Sequence, residues 1–581
     1  QFLISLLVLG GIALLVWFVI VPRVRNLGNP FTPHGEVIAF HDYFSLNPDR
    51  ATIVLDNIIH RDAIAPLIHE VAGEVLVYLP ASFLRQLDQF IFWDNSANAL
   101  FISTRYEMLE FVPGRANFYV NGVTRSILNP VLREDGEVFL PADLVEGLYP
   151  LRIEYMPEYS IVAITSVLEP FVVARVSVNE TNLRYRAESR SPLAATLSQG
   201  DEVIVFEGAA DNEDFVLVRT ATGIVGYLLA DEIGNSSTRN IAIGRTSILS
   251  GWIDNKVQHP PNWRGGAINM VWESVHNPDA NNNRMQLPFH PSVNVVSPTW
   301  LNFDRENFRL SSHVSRAYVE WAQAQGVYVW PKVMDVNNAS ARAILMNRDA
   351  RRTVVAQILH YVDTYNLDGI NIDIEHLLVA EEGPYKIQFL RELAIPMRER
   401  GVVLSAAVKI PAPWTMFYRR DLIGLTVDFV MVMTYDEHVA SSENAGPVAS
   451  LTWVHEAIVN MLDEVPREKL VMGLPFYNRA WRETMLDDEP HRALGWTMDH
   501  ARYFFESENV DWVWDSQVGS YFGEIVRVED GQAVAYRIWL ECARSITEKM
   551  QIFSVHSLAG VAGWARTFET AEVWEVIARF L

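Results

Sequence analysis

The sequence predicts an α/β protein whose carboxy-terminal half is a (β/α)8 TIM barrel carrying an inserted α+β segment. Three observations lead there. From about residue 240 onward, strand-length apolar runs alternate with helical stretches, eight times in succession. Eight such units in a row read as a closed parallel barrel rather than an open sheet. One of the runs, Gly369 to Ile374, places polar and branched apolar residues alternately, as a strand with two different faces requires. The seventh connection, about Arg482 to Leu558, is too long for one helix and is expected to hold extra strands and a helix.

Taken in order, residues 1–25 come first. Phe2 to Val21 is an uncharged apolar run of 20 residues followed by Arg23 and Arg25. A run of that length suits a transmembrane anchor, and it is longer than the core of a signal peptide. The two arginines alone favour a cytoplasmic carboxy-terminal side. Residues 36–170 are strand-rich and hold a weak repeat. Leu79-Pro80-Ala81 recurs as Leu140-Pro141-Ala142, 61 residues on, each copy between short apolar strands. Two copies make a small duplicated domain rather than a solenoid. Residues 172–235 change to short strands with glycine-containing turns, the pattern of a small half-open β-barrel. Residues 235–240 read as a polar linker. The barrel proper spans 240–581. Its strands are expected at 267–272, 294–297, 327–333, 369–374, 402–408, 429–433, 470–474 and 560–564.

Composition narrows the partners. Apolar residues make up 49% of the chain, enough to bury large cores. The formal net charge of -24 repels a phosphate backbone, so nucleic acid is not an expected partner. Cys542 is the single cysteine, which excludes an intrachain disulfide. The histidines of the strand-rich region (His34, His41, His60, His69) lack a metal-ligand spacing. Asp279-x-Asn281-x-Asn283 hints at a calcium loop, but its twelfth position is His290 rather than Glu. No cofactor and no metal are expected.

The chemistry concentrates in Leu367-Asp368-Gly369-Ile370-Asn371-Ile372-Asp373-Ile374-Glu375. Alternation puts the three isoleucines toward the outer helices and Asn371, Asp373 and Glu375 toward the barrel interior. Glu375 then falls at the carboxyl end of the strand, where active sites of this fold sit. A buried polar row is costly unless it is paired or used.

This segment resembles the D-x-x-D-x-D-x-E signature of family 18 glycoside hydrolases, and the resemblance covers residues 240–581. Met433-Thr434-Tyr435-Asp436-Glu437 resembles the family's sixth-strand motif, and Trp564 its eighth-strand tryptophan. Asn371 departs from the chitinase pattern, which has Asp there. That Asn is more similar to the spore-cortex-lytic, germination-associated branch. So are Tyr435-Asp436-Glu437-His438, Gly446-Pro447-Val448-Ala449-Ser450, Gly473-Leu474-Pro475-Phe476-Tyr477 and Ile538-Trp539-Leu540-Glu541.

The resemblance implies hydrolysis of peptidoglycan or its fragments, assisted by the substrate's own acetamido group. Glu375 would be the general acid. Asp373 would orient the acetamide, Tyr435 would hydrogen-bond its oxygen, and Trp564 would lie under the sugar ring. Asp436 and Asn371 would support the site, and Tyr477, Trp272 and Trp330 would either line subsites or pack in the core. A chitinase and a non-catalytic glycan-binding barrel are the alternatives. The β-barrel at 172–235 resembles bacterial Src-homology-3-like domains, which implies contact with the cell wall. The duplicated region resembles the stalk domain named after copper amine oxidases, without implying copper. Together these resemblances imply a membrane-anchored enzyme with its barrel facing the envelope.

Overall fold

The computed structural model of the chain describes residues 35–167, 170–234, 236–239, 263–264, 266–484 and 492–581. The chain divides into two compact units, residues 1–255 and 256–581. The apolar run at residues 2–21 lies outside the described residues. Among the described residues no helix is long and apolar enough to cross a membrane.

In the first unit the two copies of the repeat face each other. Glu74–Pro80 pairs antiparallel with Glu137–Pro141, and Leu79 stands opposite Leu140. Each strand ends in a proline that opens a seven-residue helix, Ala81–Leu87 in one copy and Ala142–Leu148 in the other. Proline suits this place because its fixed φ and missing N–H cost nothing before a first turn. Each helix is followed by a hairpin, Ile91–Asp94 with Ala99–Ser103 and Leu151–Met156 with Ile161–Ser166. Residues 61 apart also meet: the Tyr149 hydroxyl donates to Asp88 Oδ2 at 2.8 Å.

The segment after residue 170 forms a seven-stranded antiparallel sheet. The boundary near residue 170 does not separate two cores. Phe40, Tyr43, Ile161 and Ala163 share one buried cluster with Leu183, Val218 and Leu228. Tyr43 stacks on Tyr185 at 3.8 Å, and the Tyr185 hydroxyl donates to the carbonyl of Ile38. The expected linker also takes part, because Ser237–Arg239 pairs with Phe171–Arg175 as an edge strand.

The second unit is the barrel. Its strands are β1 (Ile268–Glu273), β2 (Val295–Pro298), β3 (Tyr328–Val329 and Lys332–Met334), β4 (Gly369–Asp373), β5 (Val403–Lys409), β6 (Phe429–Met433), β7 (Leu470–Pro475) and β8 (Gly560–Trp564). Consecutive strands from β3 to β8 pair in parallel, β8 pairs with β1, and β1 with β2. β3 is broken at Trp330-Pro331, since proline has no N–H for a ladder. Its first half pairs with β2 and its second with β4, which closes the barrel.

The outer helices follow the sequence signals. Arg348–Tyr365 starts at the Asn347 cap, whose side chain accepts from the N–H groups of Asp349 and Ala350, and stops at Asn366 with φ +53°. It buries Val354, Ile358 and Val362 along one stripe. Each such burial contributes about 1.5–3 kcal/mol.

The insertion in the seventh connection has different bounds from those expected. It is a five-stranded antiparallel sheet from Tyr477 to Leu540 with the helix Met498–Ser507. Ala543–His556 is the connection's own outer helix, packed beside Ala571–Phe580.

Candidate active site

Strand β4 supplies the row. Ile370, Ile372 and Ile374 are buried, and so are Asn371 and Asp373 between them. Asn371 accepts from the indole N–H of Trp272 at 3.1 Å and donates to Ser405 Oγ at 3.0 Å and Met431 Sδ at 3.6 Å. Asn371 makes no hydrogen bond to Asp373. Two residues of strand rise put the pair about 6.6 Å apart. Ser405, the register partner of Asn371 on β5, takes the amide instead.

Asp373 is paired through Oδ2 with the Lys332 ammonium group on β3. Its Oδ1 is buried and accepts from no N–H or hydroxyl among the described residues, and the neighbouring Glu375 carboxyl hydrogen-bonds to Asp373.

Glu375 follows just beyond the strand, and four side chains hold the main chain there. Asp335 accepts from the N–H of Glu375 at 3.1 Å and of His376 at 3.0 Å, and also faces His376 Nδ1 at 2.9 Å. The Tyr418 hydroxyl and Lys409 Nζ donate to the Glu375 carbonyl at 2.6 and 3.0 Å. Lys386 Nζ donates to the Ile374 carbonyl at 3.1 Å. The Glu375 carboxyl is pushed up to about 8. Burial is the main cause and the charge of Asp373 the next, while Lys332 and Lys409 pull the other way. It therefore carries its proton at neutral pH. Lys386 is pulled down to about 8 by burial, against the attraction of Asp373, Asp335 and Glu375.

Tyr435 sits at the end of β6. Burial, and then the charges of Glu375 and other neighbouring acidic groups, hold its phenol well above the usual range, so it remains a donor. Gly473 makes room for it: a Cβ there would lie 3.0 Å from Tyr435 Cε1 and 2.7 Å from the Val432 carbonyl oxygen. Asp436 follows with φ +65°. It accepts from the Tyr477 hydroxyl at 2.5 Å and from Arg479 Nη2 at 2.9 Å. The 446–450 segment fastens this turn, with Ser450 N–H and Oγ donating to Glu437 and Pro447 carbonyl facing His438.

Trp564, at the end of β8, is partly buried, with Lys332 Nζ 4.6 Å from its ring centroid. Trp272 lies 6.1 Å from Trp564 and 6.4 Å from Tyr435, ring centre to ring centre.

Glu375, Asp373, Tyr435 and Trp564 thus converge at one end of the barrel. Trp272 is buried, with its N–H committed to Asn371, and Trp330 packs against Trp263 and Phe429 in the barrel interior. Both are core residues, whereas Tyr477 is half-buried and donates to Asp436. Lys332, Asp335, Lys386, Lys409, Tyr418 and Arg479 were not singled out from the sequence. A lysine inside Trp330-Pro331-Lys332-Val333-Met334 is the one legible sign, because buried lysines are rare unless paired. The Asp279-x-Asn281-x-Asn283 run is a short helix, Pro278–Arg284, in which Asn281 bonds to Pro278, His313 and Trp300.

Residues 336–569 match the family model described as glycosyl hydrolases family 18, and this part of the chain is a glycosidase domain of that family. β1 to β3 complete the barrel ahead of the matched segment.

Among curated proteins, the chain is 28% identical over 228 residues to YdhD of Bacillus subtilis (strain 168), whose name places it among sporulation-specific glycosylases. That match covers 39% of this chain and 53% of YdhD. It is 26% identical over 247 residues to the cortical fragment-lytic enzyme of the same organism, covering 41% and 55% respectively. The chain thus spans about half the length of these two relatives. Among solved structures, the spore cortex-lytic enzyme SleL of Bacillus cereus aligns over 54% of this chain and 74% of its own, at 17% identity and TM-score 0.48.

Proposed function

We propose that the barrel hydrolyses N-acetylated glycan by a retaining, substrate-assisted route, with peptidoglycan or its fragments as the substrate class. The observation that carries this reading is the state of Glu375. A carboxyl pushed up to about 8 at the end of β4, beside a charge-paired Asp373, is a general acid that is loaded at neutral pH.

In this reading Glu375 protonates the leaving glycosidic oxygen. The substrate's acetamido oxygen attacks the anomeric carbon, as in the substrate-assisted exceptions to two-carboxylate hydrolysis. Oδ1 of Asp373, the oxygen that Lys332 leaves uncovered, accepts the acetamido N–H, and the charge of Asp373 stabilises the oxazolinium ion. The Tyr435 hydroxyl donates to the acetamido oxygen, and Trp564 lies under the sugar. Asp436, held by Tyr477 and Arg479, shapes the mouth.

Peptidoglycan is favoured over chitin by Asn371 and by relatives named for sporulation and cortical fragments. A non-catalytic glycan-binding barrel is disfavoured because Glu375 is present and primed. The placement we propose is at the cell envelope, through an apolar anchor at residues 2–21. The seven-stranded sheet would act as an SH3-like wall-binding module and the duplicated region as a stalk. Incubating the full chain with purified peptidoglycan and, separately, with chitin oligomers, followed by mass analysis, tests the substrate class. Muropeptide fragments cut at a glycosidic bond support it. Cleavage of chitin oligomers alone would reassign the barrel to chitin.

A further inference from the structure

We propose that Lys332 is a positioning residue of this site: its ammonium group holds Oδ2 of Asp373 and so reserves Oδ1 for the substrate's acetamido N–H. The inference rests on the glycosidase reading above. Lys332 lies in the second half of β3, directly after the proline break, and is buried. Its side chain reaches two groups at once, the Asp373 carboxylate and the ring of Trp564 at 4.6 Å. One residue therefore touches both the group that would orient the acetamide and the group that would floor the sugar.

The neighbours do not replace it. Asn371 is turned to Ser405, Met431 and Trp272. Lys386 and Lys409 donate to the main-chain carbonyls of Ile374 and Glu375. Asp335 serves the amides of Glu375 and His376, and Tyr418 the Glu375 carbonyl. Tyr435 lies within electrostatic reach of both acids and brings no counter-charge. The two oxygens of a carboxylate are chemically equivalent, so fastening one decides which is presented. Removing one partner of a buried ion pair is strongly destabilising, so the Asp373 carboxylate and the Lys332 ammonium group belong together in the fold. Lys332 also lowers the proton affinity of Glu375, so its removal should raise that affinity further.

The test uses the full chain on N-acetylated glycan, with Lys332→Met, Lys332→Arg, Asp373→Asn and the double variant Lys332→Met/Asp373→Asn. Lys332→Met should lower kcat about 10²-fold with a much smaller change in KM, as misplacement of a reacting group does. The alkaline limb of its pH–rate profile should move to higher pH, and Lys332→Arg should bring that limb back. In the Asp373→Asn background the Lys332 substitution should have almost no further effect on kcat. An unchanged kcat and limb in Lys332→Met, or an equal loss in both backgrounds, overturns the proposal. If Lys332→Met does not fold, the double variant, which removes both buried charges, and Lys332→Gln carry the same comparison. Glu375→Gln keeps the two ideas apart. No cleavage by the unaltered chain defeats the glycosidase reading, and near-wild-type turnover of Glu375→Gln defeats Glu375 as its acid, whereas inactivity of Glu375→Gln alongside an unaffected Lys332→Met defeats only the role of Lys332.

Discussion

At the scale of single residues, the proton on Glu375 has a thermodynamic signature separate from catalysis. The folded carboxyl titrates near 8, and an unfolded glutamate near about 4.3. Between those values the folded chain keeps a proton that the unfolded chain has released. The stability present below the unfolded value is therefore lost as pH rises through the folded one. Glu375→Gln removes this loss. It should stabilise the barrel by on the order of 1–3 kcal/mol at pH 8 and leave it unchanged near pH 4. The same variant should lose roughly 10²- to 10⁴-fold in turnover. Denaturation at the two pH values checks the first part, and equal effects at both would mean that Glu375 is ionised in the fold.

Asn371 offers a second test at this scale. Asn371→Asp keeps an acceptor for Trp272 but loses the N–H donated to Ser405, and it adds a like charge to the row. Stability should fall by about 1–3 kcal/mol. The pH–rate limbs should move upward, because a like charge disfavours ionisation of Glu375. Superimposable profiles of kcat/KM would limit Asn371 to its hydrogen bonds in the fold.

At the scale of elements, the site depends on a strand end being held still. Asp335, from the loop after β3, accepts both N–H groups that follow β4. Asp335→Ala leaves two donors without their partner, at about 1–3 kcal/mol each. It should also loosen Glu375 and lower kcat by about 10²-fold. Thermal denaturation with single-turnover rates measures both, and a full kcat with only a lower Tm would make Asp335 purely structural.

This is also the scale at which the sequence is and is not legible. β4 shows itself because its alternation is local: three isoleucines, three polar residues and a period of two. Tyr435 and Trp564 are legible only through resemblance to a family. Asp335 stays hidden, and Lys332 shows only as a lysine in an apolar run, because both act on residues about 40 positions later, across a strand pair that Pro331 interrupts. The insertion shows in the length of the seventh connection, but its end does not. Strand Gln532–Leu540 and helix Ala543–His556 follow each other with only Glu541 and Cys542 between. Trp272 and Trp330 share the composition of subsite aromatics, and only their burial reveals them as core.

At the scale of the whole molecule, the first unit holds one core of the duplicated region's own and a second core that this region shares with the seven-stranded sheet, so the two are packed together across residue 170. The second unit brings residues more than 200 positions apart, Lys332 and Trp564, into one cleft. The central claim concerns what that cleft requires of its substrate. With the acetamido oxygen as nucleophile, a glycan without the N-acetyl group has nothing to attack its own anomeric carbon. The most direct measurement is cleavage by the full chain of matched peptidoglycan samples, one fully N-acetylated and one de-N-acetylated, with products quantified by mass. The acetylated glycan should be cut and the de-N-acetylated glycan left intact; equal cleavage of both would contradict the account.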